Sequence, residues 1–337
     1  MKLDRRELLR QLESTQAGLS SKENLDQSDC FAFIPGQIIT FNDEICCRQS
    51  TELDFRGAVS SGKLLQLLRN MSEDEVDVSV RNDAELSIKG VGRRAGIKLQ
   101  QDILLPHHVV DVPTSWTDCV PAVGDYIGLV AETAGKDHPQ FILNCVRLTP
   151  DLMEATNEYQ AMACHVTTGL TSETLVRRQG AKALDGMGVA AIAESDSWVH
   201  FKTYQGLVMS LRRQEPDQAY PDLTAIYEAE SDYKVEFPGS LIECLDKATA
   251  FASKTASGKQ IGIKLKDNKM LLRASDGESW YEEMRDVHYS GNPVGFGIGL
   301  DHLRRILEQG LPCYITPTTL RVKGEGYVLV CATENIV

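Results

Sequence analysis

Gly57–Leu64 is the segment whose residue types and spacing come closest to a catalytic motif. Its sequence, GAVSSGKL, fits the pattern G-x-x-x-x-G-K and leads into a predicted helix, as does a loop that binds nucleotide phosphates. The position that should hold a magnesium-binding Ser or Thr is Leu64. The preceding Thr51–Phe55 alternates polar and apolar residues, whereas a parallel nucleotide-binding strand is continuously apolar. A nucleotide-binding enzyme that uses Gly57–Leu64 therefore stays open only as an alternative.

The other reactive residue types form no recognisable catalytic pattern. The seven histidines include no H-E-x-x-H motif, and no serine stands in a G-x-S-x-G turn. Nine cysteines lie without a C-x-x-C pair, several of them in apolar runs such as Phe141–Cys145, which indicates reduced and mostly buried thiols. We therefore predict no catalytic residues, no metal and no cofactor, and a protein that is not an enzyme.

Composition and charge narrow the class of protein further. The 337 residues are 42% hydrophobic and 25% charged, which is typical of a folded globular chain. The net charge of -13 argues against a surface that is basic all over and holds nucleic acid by bulk attraction. The chain is charged from Lys2, and no apolar stretch reaches membrane-spanning length. We predict a cytoplasmic protein without a membrane partner.

Helix-like patterns recur at a fixed spacing along the chain. Three such stretches begin near Asp4, Pro121 and Pro238, each 117 residues after the one before. Aspartate at a helix N-cap and proline in a first helical turn are both start signals. Three further helices are predicted 117 and 122 residues apart, after Val59, Val176 and Ile298. Such spacing indicates an internal repeat.

Between these helices the chain has short alternating strands, such as Gln37–Phe41, Val76–Val80 and Ile261–Leu265. Alternation with a period of two predicts antiparallel sheet with one covered face. The predicted fold class is therefore α+β, with three repeated domains of two helices on antiparallel sheet. We place the domains at residues 1–117, 118–233 and 234–337.

The predicted helices differ in charge from the rest of the chain. Together they hold 13 Lys and Arg against 10 Asp and Glu, a net of +3, which leaves -16 for all other residues. Cations on helices often only decorate a solvated face. If equivalent helices face the same side, however, that side is mildly basic and the sheet side is acidic.

Several segments resemble the beta sliding clamp family of bacterial DNA polymerase III, including clamps encoded by phages. The run Asp286–Gly291 with Val294–Ile298 and the helix Leu300–Leu307 resembles the family's third-domain strand, Tyr-Ser-Gly turn and second helix. Ala219–Leu223 resembles its connector between the second and third domains, and Phe141–Cys145 resembles a second-domain strand. The resemblance runs through the chain in order.

This resemblance implies a DNA clamp fold whose subunits join head to tail in a ring around double-stranded DNA. Such a ring is a processivity factor in DNA replication, contacts DNA without sequence preference, tethers the replicative DNA polymerase and is loaded by a clamp loader ATPase. A modest positive lining is enough for it. The DNA-binding residues expected here are Arg5, Arg6, Arg10, Lys63, Arg69, Arg177, Arg178, Lys182, Lys247, Lys254, Arg304 and Arg305.

The resemblance also implies a pocket for short peptides of partner proteins. Carried over by position, its wall is formed by Leu143, Thr156, Tyr159, Ala161, Pro221, Ile226, Val328, Leu329, Val330 and Cys331. In this chain Thr156–Ala161 reads TNEYQA where the family typically has TDGHRL, and the tail from Cys331 also differs. These departures alter the shape and charge of the expected pocket.

The family's ring closes between first and third domains through edge strands. Here Phe251, Ile97 and Leu99 are the expected dimer contacts, and the expected assembly is a homodimer. A second alternative keeps the clamp fold without the ring, as a protein that binds or competes for clamp partners.

Overall fold

A computed structural model describes residues 1–215, 217–230, 233–255 and 258–335. These residues form two compact units. The first unit holds 1–129, 148–150 and 167–215, and the second holds 130–147, 151–166 and 216–337. The division into three domains stays a prediction.

Seven α-helices lie in the described part of the chain: α1 (Arg5–Ser14), α2 (Ser61–Arg69), α3 (Ala122–Ala131), α4 (Arg178–Ala183), α5 (Thr224–Glu228), α6 (Leu241–Ala248) and α7 (Leu300–Glu308). All six helices predicted from the sequence are present, as α1–α4, α6 and α7. Helix α5 was not predicted. The Asp4 carboxylate caps α1 by accepting the Glu7 N–H at 2.8 Å. None of the described helices is long and apolar enough to cross a membrane.

The described strands are short, with two to nine residues each. In chain order they are β1 (Lys2–Asp4), β2 (Cys30–Ile34), β3 (Gln37–Phe41), β4 (Ile45–Ser50), β5 (Gly57–Ser60), β6 (Glu75–Arg81), β7 (Glu85–Gly90), β8 (Arg93–Gln100), β9 (Thr117–Asp118), β10 (Cys145–Leu148), β11 (Leu152–Thr156), β12 (Gln160–His165), β13 (Thr174–Arg177), β14 (Val189–Glu194), β15 (Trp198–Thr203), β16 (Val208–Arg212), β17 (Tyr233–Glu236), β18 (Ser253–Thr255), β19 (Gly258–Lys266), β20 (Lys269–Ser275), β21 (Trp280–Asp286), β22 (His288–Tyr289), β23 (Val294–Gly299), β24 (Cys313–Ile315), β25 (Thr319–Gly324), β26 (Tyr327–Ala332) and β27 (Glu334–Asn335).

In the first unit, twelve strands form one antiparallel sheet in the order β1-β6-β7-β8-β5-β2-β3-β4-β16-β15-β14-β9. Helices α1 and α2 cover part of it. Leu8 and Leu12 of α1, with Leu64 and Leu68 of α2, lie in one core with sheet residues such as Phe31. The leucines at three- and four-residue steps thus bury one face of each helix, which leaves the charged residues on the other.

In the second unit, eight strands follow the order β10-β11-β12-β26-β25-β24-β17-β22, and five follow the order β21-β20-β19-β23-β27. Strand β18 pairs with β19. Helices α6 and α7 bury their apolar faces through residues such as Leu245 and Leu303. The antiparallel sheets with helices on one side confirm the predicted α+β class.

Two local predictions were wrong. Phe141–Asn144 forms a 3-10 helix, and the strand β10 begins only at Cys145. The Phe141 side chain is 41% exposed, so the apolar run does not form one buried strand. The second wrong prediction concerns Pro238, which was expected in the first turn of a helix. Helix α6 begins three residues later, and the Pro238 carbonyl accepts the Leu241 N–H at 2.9 Å.

Candidate functional site

The Gly57–Leu64 segment lacks the geometry of a phosphate-binding loop. Strand β5 ends at Ser60 and α2 begins at Ser61, so no loop separates them. The strand pairs antiparallel with β2 and β8, and Leu64 is buried in the core. A backbone that runs directly from strand to helix has no turn of free N–H groups to surround a phosphate.

The predicted DNA-binding cations of α1 and α2 differ in burial, since Arg6, Lys63 and Arg69 are exposed and Arg5 and Arg10 are half-buried. Arg5 donates from Nε to the Glu73 carbonyl at 2.6 Å and from Nη1 to the Leu68 carbonyl at 3.1 Å. It therefore ties α1 to the end of α2. The ammonium-bearing side chain of Lys63 is exposed.

The remaining cations of these two helices form ion pairs. Arg6 lies 3.2 Å from Asp74, Arg10 lies 2.6 Å from Glu7, and Arg69 lies 2.9 Å from Glu13. Surface pairs of this kind add little stability. Their main effect is to neutralise much of the positive charge that the sequence places on α1 and α2.

Three predicted DNA-binding cations lie at the end of β13 and in α4. Arg177 is the last residue of β13, and Arg178 and Lys182 belong to α4. Helix α3 comes close to the end of α4, because a Cβ on Gly128 would lie 2.5 Å from the Asp185 Cβ. Glycine at this position therefore permits a close approach of the two helices in the first unit.

In the second unit, three of the four predicted cations are paired. Lys247 lies 3.5 Å from Glu283, and Arg304 lies 2.6 Å from Asp246. Arg305 donates to the Gln160 amide oxygen and lies 3.7 Å from Glu132. Lys254, in β18, is exposed. Among the described residues, no ion pair involves Lys63 or Lys254.

We expect the double substitution Lys63→Gln and Lys254→Gln to weaken binding to a short DNA duplex about threefold to tenfold at low salt, because each ammonium is free to contact a phosphate. The matched double substitution Arg6→Gln and Arg304→Gln removes the same charge from paired side chains and is expected to change binding less than about twofold. Fluorescence anisotropy between 50 and 200 mM salt measures both. Equal losses for the two variants would contradict the distinction between free and paired cations.

The predicted peptide-binding residues lie in the second unit, around the outer face of the sheet opposite α7. Strand register places Thr156 opposite Ala161, and Ala161 opposite Val330. Residues directly opposite each other in an antiparallel pair share a face. Val328 and Val330 form a buried cluster with Ala163, against which Leu152 and Tyr227 pack. Ala163, Val328 and Val330 are buried, and only Leu152 and Tyr227 are partly exposed. Because the sequence predicts a peptide-binding groove here, we name these five residues the apolar groove.

Alternation along β26 divides the predicted residues between two faces. Leu329 and Cys331 point away from the groove and are fully buried, with the Cys331 thiol 4.0 Å from the His302 carbonyl of α7. Four consecutive strand residues cannot line one surface, because side chains alternate. Leu329 and Cys331 therefore lie on the face of β26 that is turned away from the apolar groove, and their role as pocket residues stays a prediction.

The other predicted pocket residues differ in how far they are buried. Leu143 is buried in the 3-10 helix, and the Thr156 hydroxyl donates to the Gln160 carbonyl at 2.8 Å. Tyr159 and Pro221 are half-buried, whereas Ile226 of α5 is 40% exposed.

A polar cluster beside the apolar groove was missed by sequence reasoning. Arg147 pairs with the buried Glu154 at 2.6 Å and lies over the Tyr220 ring, 5.9 Å from its centroid. Burial raises the pKa of Tyr220 and of Tyr227 far above the ordinary phenol value. Arg321 is completely buried. The sequence analysis made no prediction for Arg321, and its place two residues from the exposed Lys323 on one strand gives no signal of burial.

Strands β8 and β21 each have an edge that is unpaired along most or all of its length among the described residues. Strand β8 pairs with β7 along its length but with β5 only at Leu99 and Gln100, and β21 pairs only with β20. Strand β8 carries Arg93, Arg94 and Lys98, whereas β21 carries Glu282, Glu283 and Asp286 with one cation, Arg285. Arg93 and Arg94 lie 3.0 and 4.0 Å from Glu73 and Glu85, and Glu282 lies 3.0 Å from Arg273, so part of the charge on each strand is paired within the chain. The residues of the two strands themselves are opposite in net charge.

The predicted dimer contacts lie near these edges. Phe251 stacks on Tyr281 of β21, with ring centroids 5.8 Å apart. Ile97 and Leu99 of β8 are buried in the core of the first unit. They can support an interface through the backbone of β8, while little of their side-chain surface remains to be covered.

Comparison with solved structures decides the fold. The DNA polymerase III beta subunit of Thermotoga maritima matches with a TM-score of 0.81 at 15% identity, over 100% of this chain and 99% of that one. The chain has the sliding-clamp fold. The beta subunit from the DNA polymerase of Streptococcus pyogenes matches at 0.79 and 14%, over 99% of both chains. A sliding clamp of Pseudomonas aeruginosa bound to griselimycin matches at 0.77 and 14%, over 100% of this chain and 99% of that one.

No protein-family profile matches the chain. No curated protein matches it either. The sliding-clamp fold is thus conserved here at a sequence identity of 12 to 15% to the solved structures. Similarity at this level of identity shows the fold alone. The surfaces of the chain itself carry the information about its function.

Proposed function

We propose that this chain is a DNA sliding clamp, a non-enzymatic processivity factor that encircles duplex DNA as a head-to-tail homodimer. The observation that carries the proposal is the pair of free edge strands of opposite charge on a sliding-clamp fold. A copy that presents a basic edge and an acidic edge can bind a second copy through two equivalent contacts. A heterologous contact of this type must close into a ring or extend into a fibre.

The edges favour strand addition between copies. Backbone N–H and C=O groups along Arg93–Lys98 and Trp280–Asp286 lack a strand partner on one side among the described residues, so pairing would satisfy them. Opposite charges on facing strands stabilise such a pair. The exposed Trp280 and Met284 on β21 add apolar area that a second copy could cover.

The helix charges support loose contact with DNA. Half of the predicted lining cations, six of the twelve, are held in ion pairs, and the chain as a whole is acidic. Topological enclosure does not need tight phosphate contacts, and weak contacts let a ring slide. The proposed DNA contacts remain the twelve arginines and lysines named from the sequence, with Lys63 and Lys254 as the free ones.

The apolar groove supports binding of partner peptides. Its exposed neighbour Ile226 and its partly exposed residues Leu152 and Tyr227 offer apolar surface to a large apolar side chain of a peptide. The proposed partners are the replicative polymerase and the clamp loader ATPase, which would compete for this groove.

Retention on closed circular DNA tests the proposal. The protein is incubated with a bacterial clamp loader, ATP and nicked circular DNA, and the complex is isolated by gel filtration at high salt. A ring stays on the circle and leaves when a restriction enzyme linearises it. A clamp-fold protein without a ring is not retained on either form, and that result would favour the partner-binding alternative.

A further inference from the structure

Helix α5 forms one side of the apolar groove and has little structure of its own to hold it. It contains five residues, Thr224–Glu228, and only the preceding Leu223 is buried. An isolated helix of this length is unstable in water. Its position must therefore come from contacts with the sheet below it.

Arg321 of β25 provides such a contact. Its Nη1 donates to the carbonyls of Tyr227 and Ala229 at 3.3 and 2.5 Å, at the C-terminal end of α5. The last carbonyls of a helix have no partner within the helix, and a cation there is favourable. Nε and Nη2 of Arg321 have no partner among the described residues.

Burial of the Arg321 guanidinium costs free energy of desolvation. Arg321 is completely buried, and desolvation lowers its pKa below the ordinary value. Replacing a buried ion by an apolar side chain of similar volume is often neutral or stabilising. Residues that break the usual rules of burial are found most often where function requires them.

We propose that Arg321 is a positioning residue that holds α5 at a fixed height above Val328 and Val330, and so sets the opening of the apolar groove for a peptide. The ligand class is an extended peptide with a large apolar side chain. This rests on the proposed function, because the groove has a role only if peptides bind there. Tyr227 links Arg321 to the apolar groove. Its carbonyl accepts a hydrogen bond from Arg321, and its side chain packs against the buried residues of the groove.

The substitution Arg321→Met tests the proposal by hydrogen exchange. The amides of Ile226 and Tyr227 both bond to the Leu223 carbonyl, at 2.9 and 3.1 Å. We expect their exchange to accelerate tenfold or more, while the unfolding midpoint in urea stays the same or rises. The control Lys323→Met, on the same strand and exposed, should change neither. Unchanged exchange in α5, or a lower unfolding midpoint, would overturn the proposal.

Binding of a synthetic peptide separates this inference from the proposed function. If the groove binds peptides, the wild-type protein should bind a short extended peptide that contains leucine and phenylalanine, and Arg321→Met should bind it at least tenfold more weakly. A wild-type protein that does not bind this peptide contradicts the peptide groove, whereas the exchange rates still decide whether Arg321 holds α5. Equal affinity of wild type and Arg321→Met, together with faster exchange, shows that α5 does not set the groove opening and overturns the inference.

Discussion

The double substitution Glu282→Lys and Asp286→Lys should convert the proposed dimer into a monomer at micromolar concentration. Both residues lie on the exposed edge strand β21, and reversal of their charge sets like charges against Arg94 and Lys98 of a second copy. Charged cross-strand pairs are worth roughly 0.2–1 kcal/mol each, and a two-subunit ring has two identical interfaces. The expected loss is about 3 kcal/mol per ring, which is about a hundredfold in the dissociation constant. Light scattering or sedimentation velocity measures it.

A charge-swapped mixture provides a sharp control. The substitutions Arg94→Glu and Lys98→Glu should also give a monomer, because β8 then repels β21 of an identical chain. Mixing the two variants should restore a dimer, since both interfaces of the mixed ring pair opposite charges. Glu52→Lys with Glu308→Lys, which makes the same change of charge at exposed positions outside β8 and β21, should leave the dimer intact. A charge-reversed β21 that still dimerises tightly would place the interface elsewhere.

The stability of the first unit should fall as the pH is lowered from about 6.5 to about 4 because of His200. This side chain is completely buried in β15, where its ring nitrogens lie 2.7 Å from the Ser210 hydroxyl and 3.2 Å from the Ser195 hydroxyl. Burial, with a smaller effect of Arg48, lowers the pKa of His200 from 6.5 to about 4. In that pH range the unfolded chain binds a proton that the folded chain does not.

The slope is about 1.4 kcal/mol per pH unit for one proton, so the loss reaches about 3 kcal/mol at pH 4. His200→Gln keeps a neutral polar side chain and should remove this part of the slope. Burial also lowers the pKa of His302, so the difference between wild type and variant is the informative quantity. Urea unfolding followed at pH 4.5, 5.5, 6.5 and 7.5 measures it. Parallel stability curves for the two proteins would show that His200 does not titrate in this way.

The repeat and the α+β class were predictable because they depend on local patterns. Leucines at three- and four-residue steps mark α1 and α2, and Asp4 marks a helix start that the structure confirms. Turn residues also carried a local signal, since Asn82, Asp83, Asp267 and Asn268 all adopt the left-handed backbone that hairpin turns require.

The details of the sites were not predictable, because they depend on contacts between residues far apart in the chain. The pairing of Arg69 with Glu13 joins residues 56 positions apart, and no local pattern shows which cations stay free. Likewise, the face on which Leu329 and Cys331 lie follows from the register of β26 against β12. The burial of Arg321 follows from the position of α5, a helix too short to give a periodic signal.

The opposite charges of β8 and β21 also determine the direction in which copies can assemble. Each edge repels its own equivalent in another copy, so two copies cannot join basic edge to basic edge or acidic edge to acidic edge. Only the head-to-tail contact remains, and in a ring built from it every subunit has the same orientation. The two sides of such a ring are then different. In the proposed ring the apolar groove of each subunit would lie towards the same side, so a polymerase bound at either groove would meet the DNA with the same polarity.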